Sequence, residues 1–132
     1  MRVRLESMHE VLSRVDPARM RSGWPVGLRD GALLALLAGG FTPAEICRLR
    51  ASAVTMNRGK LLVEIHRKGV TWYAALPADL GGRVLVWLTE RRLWAEAAPV
   101  FTGPQGSCLS PKSIYTILNR YRRERKARRS PC

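Results

Sequence analysis

The sequence predicts a single α+β domain over residues 1–132, mainly α-helical, with an antiparallel sheet that is either a β-hairpin or three-stranded. Helical spacing of apolar residues, or a helix-start signal, marks five stretches. Between the third and the fourth of them, residues 61–76 are instead rich in β-branched and aromatic residues around a turn-like Lys68-Gly69, which is typical of a hairpin. A length of 132 residues with 46% hydrophobic content fits one globular core.

The first two predicted helices differ in how much of their surface is apolar. Apolar residues within 5–15 form one stripe of an amphipathic helix that ends before Asp16-Pro17. Residues 28–38 are apolar on nearly every side apart from Arg29 and Asp30, as in a helix that is buried on all faces. We therefore expect the second helix to lie at the centre of the domain.

The third predicted helix has a strong start signal after Gly39-Gly40. Thr42 is a suitable N-cap, a proline follows at the first helical position, and Glu45 is placed to close a capping box. This short helix is expected to run to about Arg50. After the hairpin, helical spacing returns at Leu80 and extends to about Trp94.

The fifth predicted helix begins at Ser110-Pro111, again an N-cap residue followed by proline. Its apolar residues within 114–121 share one face, which we expect to turn inward, with Tyr121 as core packing. The other faces are basic. The sequence therefore predicts a helix whose apolar stripe anchors a ridge of positive charge.

The overall charge indicates a polyanionic partner. Twenty-three Lys and Arg residues against ten Asp and Glu give a formal net charge of +13. The most basic segment is 120–132, where seven Arg and Lys side chains face only one acidic residue, Glu124. Nucleic acid is the first candidate, because Lys and Arg neutralise phosphates and release counterions. An anionic membrane surface is the second.

Several functional classes are disfavoured by the sequence. The longest apolar stretch, residues 31–41, is shorter than the roughly 20 residues that a spanning helix needs, so no membrane partner is expected. The first residues lack the apolar core of a signal peptide, and a cytoplasmic location follows as the expectation. Cys47, Cys108 and Cys132 lack the spacing of metal sites. We expect reduced thiols, with Cys47 in the core, and neither a metal nor a cofactor.

Three parts of the chain resemble the catalytic domain of the tyrosine recombinases, the phage-integrase family. Residues 29–50 resemble, without a gap, the family's succession of Arg-Asp, an apolar helix, a Thr-Gly-Leu-Arg-like turn, Ser-Glu-Leu and Leu-Arg. Residues 67–69 with Leu76-Pro77 are similar to its Lys-Gly hairpin, and residues 101–113 to the segment that follows. The resemblance covers this chain and about the first two-thirds of the family's domain. It implies a DNA partner and a role in DNA recombination or integration, as in mobile genetic elements.

The departures from the family pattern concern catalysis. In this family a tyrosine attacks the scissile phosphate, while two arginines, a lysine and usually histidines stabilise the developing charge. Thr42 stands where the resemblance places the first catalytic arginine, and the His-x-x-Arg motif and the tyrosine are expected only beyond Cys132. Lys68 is the candidate remnant of the catalytic lysine, with Arg67 as the alternative. The resemblance therefore implies a DNA-binding protein that is catalytically inactive alone.

The residues that we expect to contact DNA are the basic ones of the hairpin turn and of the last helix. They are Arg67, Lys68, Lys112, Arg120, Arg122, Arg123, Arg125, Lys126, Arg128 and Arg129. Such contacts reach mainly the phosphate backbone and carry little sequence information. A full-length recombinase or a second copy of this chain is a further candidate partner.

Two other classes stay open at this point. A small helix-turn-helix regulator is suggested by the capped helix from Thr42, although its recognition helix would have to begin near Ser52, and the chain instead runs through residues 57–59 into the hairpin. An RNA-binding protein is suggested by the charge alone. The basic ridge also has a plainer interpretation as a solvated helix face.

Overall fold

The computed structural model describes residues 5–94, 96–103 and 106–129, and their side chains except those of 5–7 and 123–129. Within these ranges it contains five α-helices and a three-stranded antiparallel sheet, which confirms the predicted α+β fold. The elements are α1 (Leu5–Ser13), α2 (Val26–Ala38), α3 (Pro43–Arg48), β1 (Val54–Asn57), β2 (Lys60–Arg67), β3 (Val70–Leu76), α4 (Ala78–Glu90) and α5 (Pro111–Arg129), with a 3₁₀ turn at Ala51–Ala53.

Helix α2 is the centre of the fold, as its composition predicts. Every residue from Ala32 to Leu36 is fully buried. Helices α1, α3, α4 and α5 all contact it, so each of its faces meets another element. One contact leaves no room for a side chain, because a Cβ atom built on Gly27 would lie 2.0 Å from the carbonyl oxygen of Asp16.

The sheet has the order β1-β2-β3, with both pairs antiparallel. Lys68 and Gly69 both have positive φ, 51° and 75°, as expected for the tight two-residue turn of a hairpin. Arg58 and Gly59 repeat this geometry and join β1 to β2. This second turn makes the sheet three-stranded.

The region after α3 differs from a helix-turn-helix. The chain forms the 3₁₀ turn Ala51–Ala53 and then enters β1, where a recognition helix would have to begin. The structure therefore gives the helix-turn-helix alternative no support.

Helix α4 ends at Glu90, and the expectation that it reaches about Trp94 is wrong. Arg92 adopts a positive φ of 54°, and the Leu93 N–H donates to the Leu88 carbonyl oxygen at 3.0 Å. The Arg92 N–H donates to the Thr89 carbonyl oxygen at 3.2 Å, which completes a Schellman motif. This C-terminal motif usually has glycine at the positive-φ position. Because the position is occupied by Arg92, the sequence carried no glycine to mark the end of the helix.

Candidate functional site

The start of α3 is fixed by the predicted capping box. The Thr42 Oγ1 accepts a hydrogen bond from the Glu45 N–H at 3.2 Å, and the Glu45 Oε1 accepts one from the Thr42 N–H at 2.9 Å. Both side chains therefore satisfy backbone donors that the first turn would otherwise leave unpaired. Where the resemblance expects a catalytic arginine, the chain carries a neutral hydroxyl with a structural role.

A guanidinium from the hairpin reaches this same helix end. Arg67 is the last residue of β2, and its Nε and Nη2 donate to the two carboxylate oxygens of Glu45 at 2.5 and 2.8 Å. Its Nη2 also donates to the Gly40 carbonyl oxygen at 3.2 Å. The hydrogen bond from Arg67 is the main reason that the pKa of Glu45 falls from 4.5 to about 2. The hairpin is thus joined to α3 by a bidentate ion pair.

Lys68 follows directly at the tip of the hairpin. Its side chain is exposed, and within the described part of the chain no hydrogen bond or ion pair holds its ammonium group. The structure therefore brings Thr42, Glu45 and Arg67 into one cluster and places Lys68 beside that cluster as a solvated cation. An ammonium at a hairpin tip suits a phosphate contact.

Helix α5 presents the remaining predicted contacts. Lys112 is exposed in its first turn, while Arg120 and Arg122 are half-buried further along the helix. The predicted inward face is confirmed, because Ile114, Ile117, Leu118 and Tyr121 are all buried. Five predicted contacts lie on the helical backbone of α5, but their side chains fall outside the described ones: Arg123, Arg125, Lys126, Arg128 and Arg129.

Sequence reasoning missed a buried polar cluster that attaches α5 to α2. Asp30 is fully buried, and its Oδ1 accepts hydrogen bonds from Nε and Nη2 of Arg29 at 3.0 and 2.8 Å. Its Oδ2 accepts a hydrogen bond from the Tyr121 hydroxyl at 2.6 Å. Burial and this bond to Asp30 raise the pKa of Tyr121 well above its usual range. The available signal was an Arg-Asp pair inside an otherwise apolar helix, since buried charges require partners.

The described residues include neither a cluster of metal ligands nor a helix that could span a membrane. No group of three or more His, Cys, Asp and Glu side chains there could hold a metal ion. None of the helices in that part of the chain is long and apolar enough to cross a membrane. Cys47 is half-buried rather than in the core, and burial raises the pKa of its thiol, while Cys108 is exposed. Cys132 lies outside the described residues.

The fold matches that of site-specific recombinases. The XerH site-specific recombinase bound to difH substrate, in a pre-cleavage complex, is similar over 97% of this chain with a TM-score of 0.70 and 23% sequence identity. The post-cleavage complex of XerH with palindromic difH is similar over 90% of the chain, with a TM-score of 0.65 and 23% identity. This chain therefore has the tyrosine recombinase-like fold that its sequence resemblance predicts.

The likeness covers only part of those proteins. This chain spans 37% and 35% of the length of the two XerH chains. No protein-family model and no curated protein sequence matches it.

Proposed function

We propose that this domain binds DNA through the phosphate backbone and does not by itself cleave or join DNA strands. The observation that carries the proposal is a tyrosine recombinase-like fold with a net charge of +13. The similar XerH structures are complexes of a site-specific recombinase with its difH substrate, which supports the proposal. We further propose that residues 1–132 form one domain, with 120–132 as its basic segment. A cytoplasmic location, and an origin in a phage integrase or a mobile element, stay predictions.

The contacts that we propose lie on two elements. Lys68 extends from the hairpin tip without a competing carboxylate among the described residues, and Lys112 and Arg120 project from α5. Lys and Arg bind phosphates mainly by charge, so we expect affinity without strong sequence preference. A second copy of the chain or a full-length recombinase would add the contacts that specificity requires.

The residues at the start of α3 support the proposed loss of catalysis. Transition-state stabilisation of phosphoryl transfer needs several cations fixed around one phosphate. The Thr42 hydroxyl carries no charge, and its oxygen accepts the capping hydrogen bond from the Glu45 N–H. Arg67 donates its Nε and Nη2 hydrogens to the Glu45 carboxylate. Of the residues near the start of α3 that we consider for catalysis, Lys68 is left as the cation that could contact a phosphate. One lysine does not stabilise the charge that develops in the transition state.

Salt-dependent binding to a fluorescent duplex of arbitrary sequence tests the DNA contact. We expect affinity to fall steeply with salt, and Lys68→Gln to lower the slope of log affinity against log salt by about 1. The matched control is Lys60→Gln, which neutralises an exposed lysine at the opposite end of β2. Affinity that is independent of salt would refute phosphate contact, and equal effects of both variants would refute the role of Lys68. An RNA duplex as competitor tests the RNA-binding alternative.

A denaturing gel tests the absence of catalysis. The protein is incubated with supercoiled plasmid, and both relaxed DNA and a covalent protein–DNA adduct are sought. An active recombinase acting on a plasmid with its own site serves as the positive control. We expect neither product from this domain, and either product would show that the domain assembles an active centre despite Thr42.

A further inference from the structure

A basic pocket lies between the start of α2 and α5, apart from the α3 cluster. Its volume is about 490 Å³, which is on the scale of small-molecule binding sites. Three arginines from three segments line it, together with hydroxyl and indole groups. These polar lining residues are Arg21, Ser22, Trp24, Arg29, Ser113, Thr116 and Arg120. The described lining contains no carboxylate, so every charged group that faces the pocket is positive.

Arg29 provides a buried guanidinium in the lining of this pocket. Arg29 is only 9% exposed, and its Nε and Nη2 donate hydrogen bonds to the Asp30 carboxylate. Its Nη1 has no hydrogen-bond partner among the described residues. The buried ion pair with Asp30 thus orients a guanidinium without occupying all of its N–H groups.

Trp24 is a reporter group in the wall of the pocket. The residue is 9% exposed, and its Nε1–H is buried without a hydrogen-bond partner in the part of the chain that the structure describes. Arg91 covers the ring, with its guanidinium carbon 4.3 Å from the ring centroid. Trp24 lines the pocket, so the signal of its indole N–H reports on an anion that binds there.

We propose that this pocket binds a phosphate group, either free or as part of a nucleic-acid backbone. A phosphate offers several acceptor oxygens and negative charge to guanidiniums and hydroxyls, all of which donate. Val26, the first residue of the 13-residue helix α2, also lines the pocket, and the start of a helix favours an anion. The inference goes beyond DNA binding, because a free phosphate fills the same site whether or not the domain binds DNA.

Nuclear magnetic resonance of the indole N–H groups tests the pocket. Inorganic phosphate is titrated into ¹⁵N-labelled protein at constant ionic strength, and the Trp24 signal is assigned with Trp24→Phe. We expect a saturable shift of that signal in the wild type. In the double variant Arg21→Gln, Arg120→Gln the affinity should fall at least about tenfold, since charge-assisted hydrogen bonds are lost.

The matched control is the double variant Arg58→Gln, Lys60→Gln, which also removes two positive charges, lies at the turn between β1 and β2 outside the pocket lining, and should leave the phosphate affinity unchanged. A Trp24 signal that does not saturate would overturn the proposal. Equal weakening in the two double variants, which remove the same charge, would also overturn it, because binding would then follow net charge alone.

A short DNA duplex distinguishes the two sources of the phosphate. If the duplex shifts the Trp24 signal and free phosphate competes with it, the pocket seats a backbone phosphate. If the duplex binds without moving that signal, while free phosphate does move it, the pocket serves a free anion. Phosphate binding without any DNA binding would refute the proposed function and leave the pocket assignment intact.

Discussion

Removal of one hydroxyl from Tyr121 is expected to destabilise the domain measurably. The Tyr121→Phe variant keeps the buried ring but deletes the donor that lies 2.6 Å from Oδ2 of Asp30. Asp30 is fully buried, so no bulk water replaces the lost donor. A hydrogen bond to a charged group contributes about 1.5–3 kcal/mol, and we expect the free energy of unfolding to fall by that amount. This is a large share of the roughly 5–15 kcal/mol typical of a domain.

Urea unfolding followed by tryptophan fluorescence and circular dichroism provides the measurement. The matched control is Tyr115→Phe, which removes a hydroxyl from an exposed position on the same helix and should change the stability by less than about 0.5 kcal/mol. A loss below about 0.5 kcal/mol in Tyr121→Phe would refute the reasoning. It would mean that the contact between α5 and α2 depends on apolar packing and not on the carboxylate.

Two further predictions concern the start of α3 and the helix glycines. Because the carboxyl pKa of Glu45 is lowered from 4.5 to about 2 in the folded protein, its ion pair with Arg67 stabilises the fold above pH 4.5, and this contribution is lost as the pH falls towards 2. Glu45→Gln should therefore cost about 1 kcal/mol at pH 7 and almost nothing near pH 2, measured by urea unfolding at each pH. Gly27→Ala should destabilise by about 1–3 kcal/mol, because its Cβ would overlap a backbone oxygen. Gly82→Ala, in α4 with open space around it, should stabilise by about 0.5–1 kcal/mol in the same assay.

Each of these predictions has an outcome that contradicts it. A cost of Glu45→Gln that is the same at pH 2 and pH 7 would show that the ion pair with Arg67 contributes nothing measurable. Similar effects of the two glycine substitutions would show that the close approach of the chain to α2 is relieved by a small shift of the backbone.

Much of the fold follows from local sequence signals. The apolar periodicity and the positions of Gly, Pro and capping residues predicted the central helix, the capping box of α3 and the hairpin around Lys68-Gly69. These features depend on residues that are close in the chain. The end of α4 was misplaced, since its C-terminal motif uses Arg92 in a conformation that usually takes glycine. The sequence left open whether the sheet has two or three strands, and the turn at Arg58-Gly59 joins the additional strand β1 to β2.

The candidate site depends on contacts between distant residues that local sequence patterns do not predict. The sequence by itself determined the excess of positive charge, its concentration after residue 120 and the replacement of an expected arginine by Thr42. Only the tertiary structure decided that Arg67 binds Glu45 across 22 residues and that Tyr121 binds Asp30 across 91. Composition and local periodicity depend on neighbours in the chain, whereas an ion pair or a pocket depends on which distant segments the packed core brings together.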